Sequence, residues 1–318
     1  MTINDNIIEP GENKIIKIRV GKLPSGTHIN IFAHVYRSKK PGKTLLLLGG
    51  IHGDEINGIE IIRSAIEKQY FDDLVQGTVI VIPLLNVYGF INFSREVPDG
   101  KDVNRSFPGS STGSLASRVA NKLTKFILPH VDCIIDFHTG GDSRYNYPQI
   151  RYTKSNSKSK ELAKIFNAPF IIEKPLIPKS LRKIAHDLHI PVIVYEGGES
   201  TRLDSFAINT GLEGIKNILF HFGMIDEKPD KQKRKSVFID KTSWIRSRDS
   251  GIFKCYVESG NYIHKNDIAG VLKDVLGNSS KNIIAKRDAY IIGHNNAPVV
   301  NMGDALFNLG WDSEKNIK

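Results

Sequence analysis

Two histidines and two glutamates stand just beyond apolar runs in this chain: His52 and Glu55 follow LLLLGG, His138 follows CIIDF, and Glu196 follows PVIVY. Imidazole nitrogens and carboxylate oxygens bind metal ions and also move protons. His52-Gly53-Asp54-Glu55 is an H-x-x-E pair at i and i+3, the spacing that puts two side chains on one face of a helical turn. Alone, that pair is a weak signal. With His138 as a third ligand it becomes two imidazoles and a carboxylate, a set suited to catalytic zinc with its fourth position left for water, although cobalt or manganese suits such donors too. Asp136, two positions before His138, reads either as the partner orienting that imidazole or as an outward solvated side chain. Metal-activated water needs a base, and Glu196, between an apolar run and Gly197-Gly198, is the candidate, with Glu199 as the fallback. The competing assignment for Glu196 is a strand-end carboxylate paired with a nearby lysine.

A third element is the loop SREVPDGKDVNRSFPG, residues 94 to 109, which carries Arg95, Asn104 and Arg105. Guanidinium groups bind a planar carboxylate through two parallel hydrogen bonds, so this loop suits a small carboxylated ligand. The alternative for either arginine is a structural salt bridge with Asp99 or Asp102. Arg182, at the start of a predicted helix, is a further candidate with a structural role as its alternative.

These side chains need elements that bring their ends together. From residue 44 to about 223, short β-branched runs alternate with longer amphipathic ones, the pattern of βα units around a largely parallel sheet. Strands are predicted at Thr44 to Leu48, Val79 to Leu84, Cys133 to Phe137, Phe170 to Glu173 and Pro191 to Tyr195. Helices are predicted at Asp54 to Gln69, Gly113 to Leu128, Ser157 to Phe166, Ser180 to Leu188 and Ser205 to Phe222. Open α/β sheets bind ligands beyond the carboxyl ends of their strands, so residues as far apart as His52 and Glu196 can share one site. IIKIRV and INIFAHVY, before residue 44, predict antiparallel strands at one edge. The stretch between 140 and 180 carries no readable motif. The expected organisation is a catalytic domain over 1–227, a basic linker over 228–235 and a small all-β domain over 236–318, read from short strands such as GIFKCYV, IAGVL, NIIA and AYIIG.

Composition narrows the function. The chain has 318 residues, is 40% apolar and carries a net charge of +10; without the five cations and one anion of KPDKQKRK the charge is +6. That surplus attracts anions, yet no nucleic-acid-binding signature accompanies it. No apolar run approaches the roughly 20 residues a membrane helix needs. The N-terminus lacks the basic start and apolar stretch of a secretory signal, so a cytoplasmic location is expected. Cys133 and Cys255 are too few for a disulfide framework.

Taken in order, GGIHGDEINGIE, PLLNVYGF, SREVPDGKDVNRSFPG, DFHTGG and SLRKIAHDLHIPVIVYEGG, followed by the β-rich tail, resemble the succinylglutamate desuccinylase/aspartoacylase family of the zinc carboxypeptidase-like superfamily. The resemblance spans roughly residues 40 to 310. It implies one zinc per chain held by His52, Glu55 and His138, a catalytic Glu196, and a substrate carboxylate on Asn104 and Arg105. It further implies that Arg95 polarises the scissile carbonyl, that Arg182 binds a second carboxylate, and that the tail is a lipoyl-like β domain. The reading is a zinc-dependent amidohydrolase acting on N-acylated amino acids or similar small carboxylates, with no nucleic-acid or membrane partner and a homo-oligomer left open. The alternatives are a metallocarboxypeptidase acting on peptides and a non-catalytic carboxylate- or nucleic-acid-binding protein.

Overall fold

The computed structural model describes residues 1–230 and 235–313. Four strands, Thr44–Leu48, Thr78–Ile82, Cys133–Gly140 and Val192–Glu199, are buried along their whole length. Apolar, largely β-branched residues at successive positions suit strands covered on both faces, and these four pair in parallel. Side chains alternate across a strand, so each strand feeds two cores. Leu46, Leu48, Ile80, Ile82 and Ile134 pack with Val119, Leu123 and Leu181 from helices Leu115–Phe126 and Leu181–Asp187. Leu45, Leu47, Val79, Val81 and Ile135 pack on the opposite face with Ile61, Phe166 and Ile215 from helices Ile56–Glu67, Ser157–Phe166 and Ser205–His221. The result is the mixed α/β architecture expected from the alternation of runs, with these four parallel strands at its centre.

Antiparallel strands extend this sheet on both sides. His28–Arg37 pairs with Thr78–Ile82 and carries Asn13–Lys22 at the edge, as IIKIRV and INIFAHVY predict. On the other side Arg144–Tyr152 runs antiparallel to Val192–Glu199 and is followed by Ala289–Asn295, Ala305–Trp311 and Lys241–Arg246. A separate four-stranded antiparallel sheet joins Ser280–Ile284, Ile268–Lys273, Gly251–Cys255 and Val299–Val300. No helix among the described residues is long and apolar enough to cross a membrane.

Two local expectations change. The first helix starts at Ile56 rather than Asp54, because Glu55 has non-helical dihedrals of φ −85° and ψ 70°. Residues 144 to 152, read as part of a motif-free stretch, form a strand despite Pro148. A proline cannot donate to the ladder, and the pairing register slips between Glu196 and Gly198, opposite Pro148, which is where a strand tolerates one. Of the predicted basic linker, residues 231–234 lie outside the described residues.

Candidate active site

The parallel register aligns the strand ends. Asp136 lies opposite Leu48, and Glu196 lies opposite His138. Beyond Leu48 the chain turns through Gly50, at φ +59°, and then passes Gly53, which sits so close to the backbone of Gly89 and Phe90 that a Cβ would fall 2.0 Å from either. This tight turn, not a shared helical face, brings His52 and Glu55 together, which corrects the expectation drawn from H-x-x-E spacing. His52 Nδ1 is 2.7 Å from Glu55 Oε1, His138 Nδ1 is 2.8 Å from Glu55 Oε2, and the two Nδ1 atoms are 3.2 Å apart. The ligand atoms of all three lie within 4.8 Å of one another, and each side chain is buried.

A ring of carboxylates surrounds the imidazoles. Asp136 Oδ2 lies 2.9 Å from His138 Nε2, so the buried Asp136 orients that ring rather than facing solvent. Asp102 Oδ1 lies 3.3 Å from His52 Nε2. Burial opposes charge on both imidazoles, but Glu55 and Asp102 outweigh it at His52, and Asp136 and Glu55 outweigh it at His138, so both are held above the usual histidine range. Burial likewise opposes ionisation of Glu55, yet the two imidazoles hold its carboxyl well below the usual range. The imidazoles and the carboxylates thus stabilise one another's charged forms.

Arg95 lines the cavity and makes the salt bridge with Asp102 that its loop allows. Its Nη1 donates to Glu55 Oε1 at 3.2 Å, while Nη2 donates to Asp102 Oδ2 at 2.9 Å. Glu196 faces the same cavity, with Oε1 accepting from Arg151 Nη1 at 2.5 Å and Oε2 from Asn146 Nδ2 at 2.8 Å. Glu199 instead accepts a hydrogen bond from Asn296 and lies outside the cavity lining. Asn104 Oδ1 accepts the backbone N–H of Leu181, which ties the Arg105 loop to the helix carrying Arg182. Arg105 is exposed, with Nη1 donating to the Asn104 carbonyl. Arg182 is buried; one terminal nitrogen donates to the Pro175 carbonyl, and the other has no hydrogen-bond partner among the described residues. Burial and neighbouring Arg151 push the Arg182 guanidinium down to about 10.

The cavity holds about 360 Å³ and is lined by His52, Glu55, His138, Arg95, Asn104, Arg105, Arg182 and Glu196 together. The sequence reading misses Arg151 and Asn146, the two residues that grip Glu196. A signal exists in YNYPQIRY, where apolar and polar side chains share a nine-residue strand, but Pro148 masks it.

Comparison with known proteins follows the same lines. A family model for the succinylglutamate desuccinylase/aspartoacylase catalytic domain matches residues 41–222. An N-alpha-acetyl-L-2,4-diaminobutyric acid deacetylase of Halomonas elongata is 29% identical over 280 residues, covering 83% of this chain and 81% of its own. The crystal structure of a succinylglutamate desuccinylase/aspartoacylase from Rhodobacter sphaeroides superposes with a TM-score of 0.85 at 24% identity, over 98% of this chain and 99% of the other. The product-bound ectoine utilization protein EutE (DoeB) of Ruegeria pomeroyi gives 0.86 at 21% identity, over 98% of each chain.

Proposed function

The chain belongs to the succinylglutamate desuccinylase/aspartoacylase family, and from that premise we propose that it is a zinc-dependent amidohydrolase that removes a short acyl group from the nitrogen of an amino acid or similar small carboxylate. The observation that carries this reading is one cavity lined by a His-Glu-His cluster, a positioned carboxylate and two guanidiniums, Arg105 and Arg182, with no carboxylate partner among the described residues.

The donor set fits zinc. Two imidazole nitrogens and a carboxylate oxygen, all within 4.8 Å of one another, are the donor types that zinc takes in catalytic sites. His138 keeps Nδ1 for the centre because Asp136 engages Nε2. His52, Glu55 and His138 would hold one zinc per chain, which when bound would supply Lewis acidity for the scissile carbonyl and would acidify the attacking water.

The protein's own groups do the rest. Glu196 takes a proton from the attacking water and returns it to the leaving nitrogen, with Arg151 and Asn146 fixing its direction. Arg95 places a guanidinium at the centre, suited to the oxygen that becomes negative in the tetrahedral intermediate. Arg105 and the Asn104 amide nitrogen hold the substrate carboxylate, and Arg182, with one donor unused, takes a second anionic group. The cavity of about 360 Å³ suits a small substrate.

The test is a panel of N-acetyl and N-succinyl amino acids run beside their carboxamide analogues and C-terminal peptides. Hydrolysis of the acids, poor turnover of the carboxamides and a raised KM in Arg105→Ala with kcat held are expected. Preferential release of C-terminal residues from peptides would place the chain among carboxypeptidases instead.

A further inference from the structure

A second groove of about 590 Å³ lies beside the strand Lys241–Arg246, and both tryptophans of the chain, Trp244 and Trp311, line it. Arg246, Arg248, Lys265, Lys286 and Arg287 line it too, and no Asp or Glu does. All five cations are exposed. The ion pairs formed close by, His264 with Asp288 and Lys281 with Asp249, leave all five without a carboxylate among the described residues. Like charges gathered without counterions repel, so an anionic occupant relieves them.

The groove has a second feature. Among the described residues Lys241–Arg246 pairs only with Ala305–Trp311 and ends the sheet, so its outer edge offers unpaired backbone groups to an incoming strand. We propose that this groove binds an extended acidic peptide segment, added along the Lys241–Arg246 edge with its carboxylates on the five cations. A single strand of nucleic acid fits less well, because the Arg287 guanidinium already covers the Trp311 ring at 3.7 Å and leaves a poor stacking platform. A second copy of the chain would bring the same cations against themselves. Trp244 lines both this groove and the catalytic cavity, so a bound peptide would touch a residue that also borders the cleft. The inference goes beyond the proposed hydrolysis and does not depend on it.

Because both tryptophans border the groove, intrinsic fluorescence reports occupancy without any substrate. Titrating the full chain with a decaglutamate peptide at about 150 mM salt should give a saturable fluorescence change. Arg248→Glu with Lys286→Glu should weaken binding about tenfold or more with far-UV circular dichroism unchanged, while Lys122→Glu with Lys125→Glu, on helix Leu115–Phe126, should leave it intact. No saturable change, or equal weakening by both pairs, would overturn the site. Tighter binding of oligothymidylate than of the peptide, or self-association lost on charge reversal, would overturn the occupant. Absence of acylase activity in the same sample would count only against the hydrolase reading.

Discussion

Arg151→Ala isolates what holds the catalytic carboxylate. Arg151 Nη1 lies 2.5 Å from Glu196 Oε1, and the two side chains are 26% and 10% exposed, so the contact is largely shielded from water. A hydrogen bond to a charged group contributes about 1.5–3 kcal/mol in such settings. If that energy serves to aim Glu196 at the attacking water, its loss falls on the barrier, and each 1.36 kcal/mol is tenfold, so kcat should drop roughly 10- to 100-fold. KM should hold, since Arg151 acts through Glu196 and the carboxylate site proposed at Arg105 is untouched. Arg151→Lys, which restores a cation but not the planar fork, should recover part of the loss. The decisive assay is a double-mutant cycle. In a Glu196→Gln background, Arg151→Ala should add little, because the partner it positions is already disabled. A raised KM with kcat intact would make Arg151 a substrate ligand, and fully additive losses would sever it from Glu196.

Two further outcomes follow from groups around the cleft. Burial and the neighbouring Arg151 push the Lys174 ammonium down to about 8 from its usual 10.5, so as pH climbs through that window the folded chain sheds this proton before the unfolded chain does. Stability should therefore gain from this residue between those two pH values, and thermal unfolding of Lys174→Met across the same range should lack the gain; parallel pH curves for both proteins would refute it. Gly53→Ala should destabilise by about 1–3 kcal/mol, because its Cβ would meet the Gly89 and Phe90 backbone at 2.0 Å, and it should also loosen metal retention by displacing His52. Wild-type denaturation midpoints with normal metal content would contradict the close packing of that turn.

The parallel strands are legible because each is apolar at nearly every position, and strands buried on both faces have no polar side to confuse the pattern. His52, His138 and Glu196 are legible for a related reason: a polar residue just past such a run stands out, and parallel pairing then aligns the ends in space. What escapes is whatever depends on three-dimensional packing. The meeting of His52 with Glu55 depends on a glycine turn pressed against Gly89, which spacing alone presents as a helical face. Asp136 is readable either as solvated or as an imidazole partner until its burial is known. Arg151 and Asn146 reach Glu196 from a strand whose proline hides it, and only the register slip between Glu196 and Gly198 shows how the proline is accommodated.

The central claim is tested most directly by measuring metal content by mass spectrometry on purified wild type and His52→Ala, with hydrolysis of N-acyl amino acids assayed on the same samples. One zinc per chain with acylase activity, both lost in the variant, is the expected result. A folded wild type that carries no metal and resists reconstitution with zinc, or hydrolysis undiminished in His52→Ala, would contradict it.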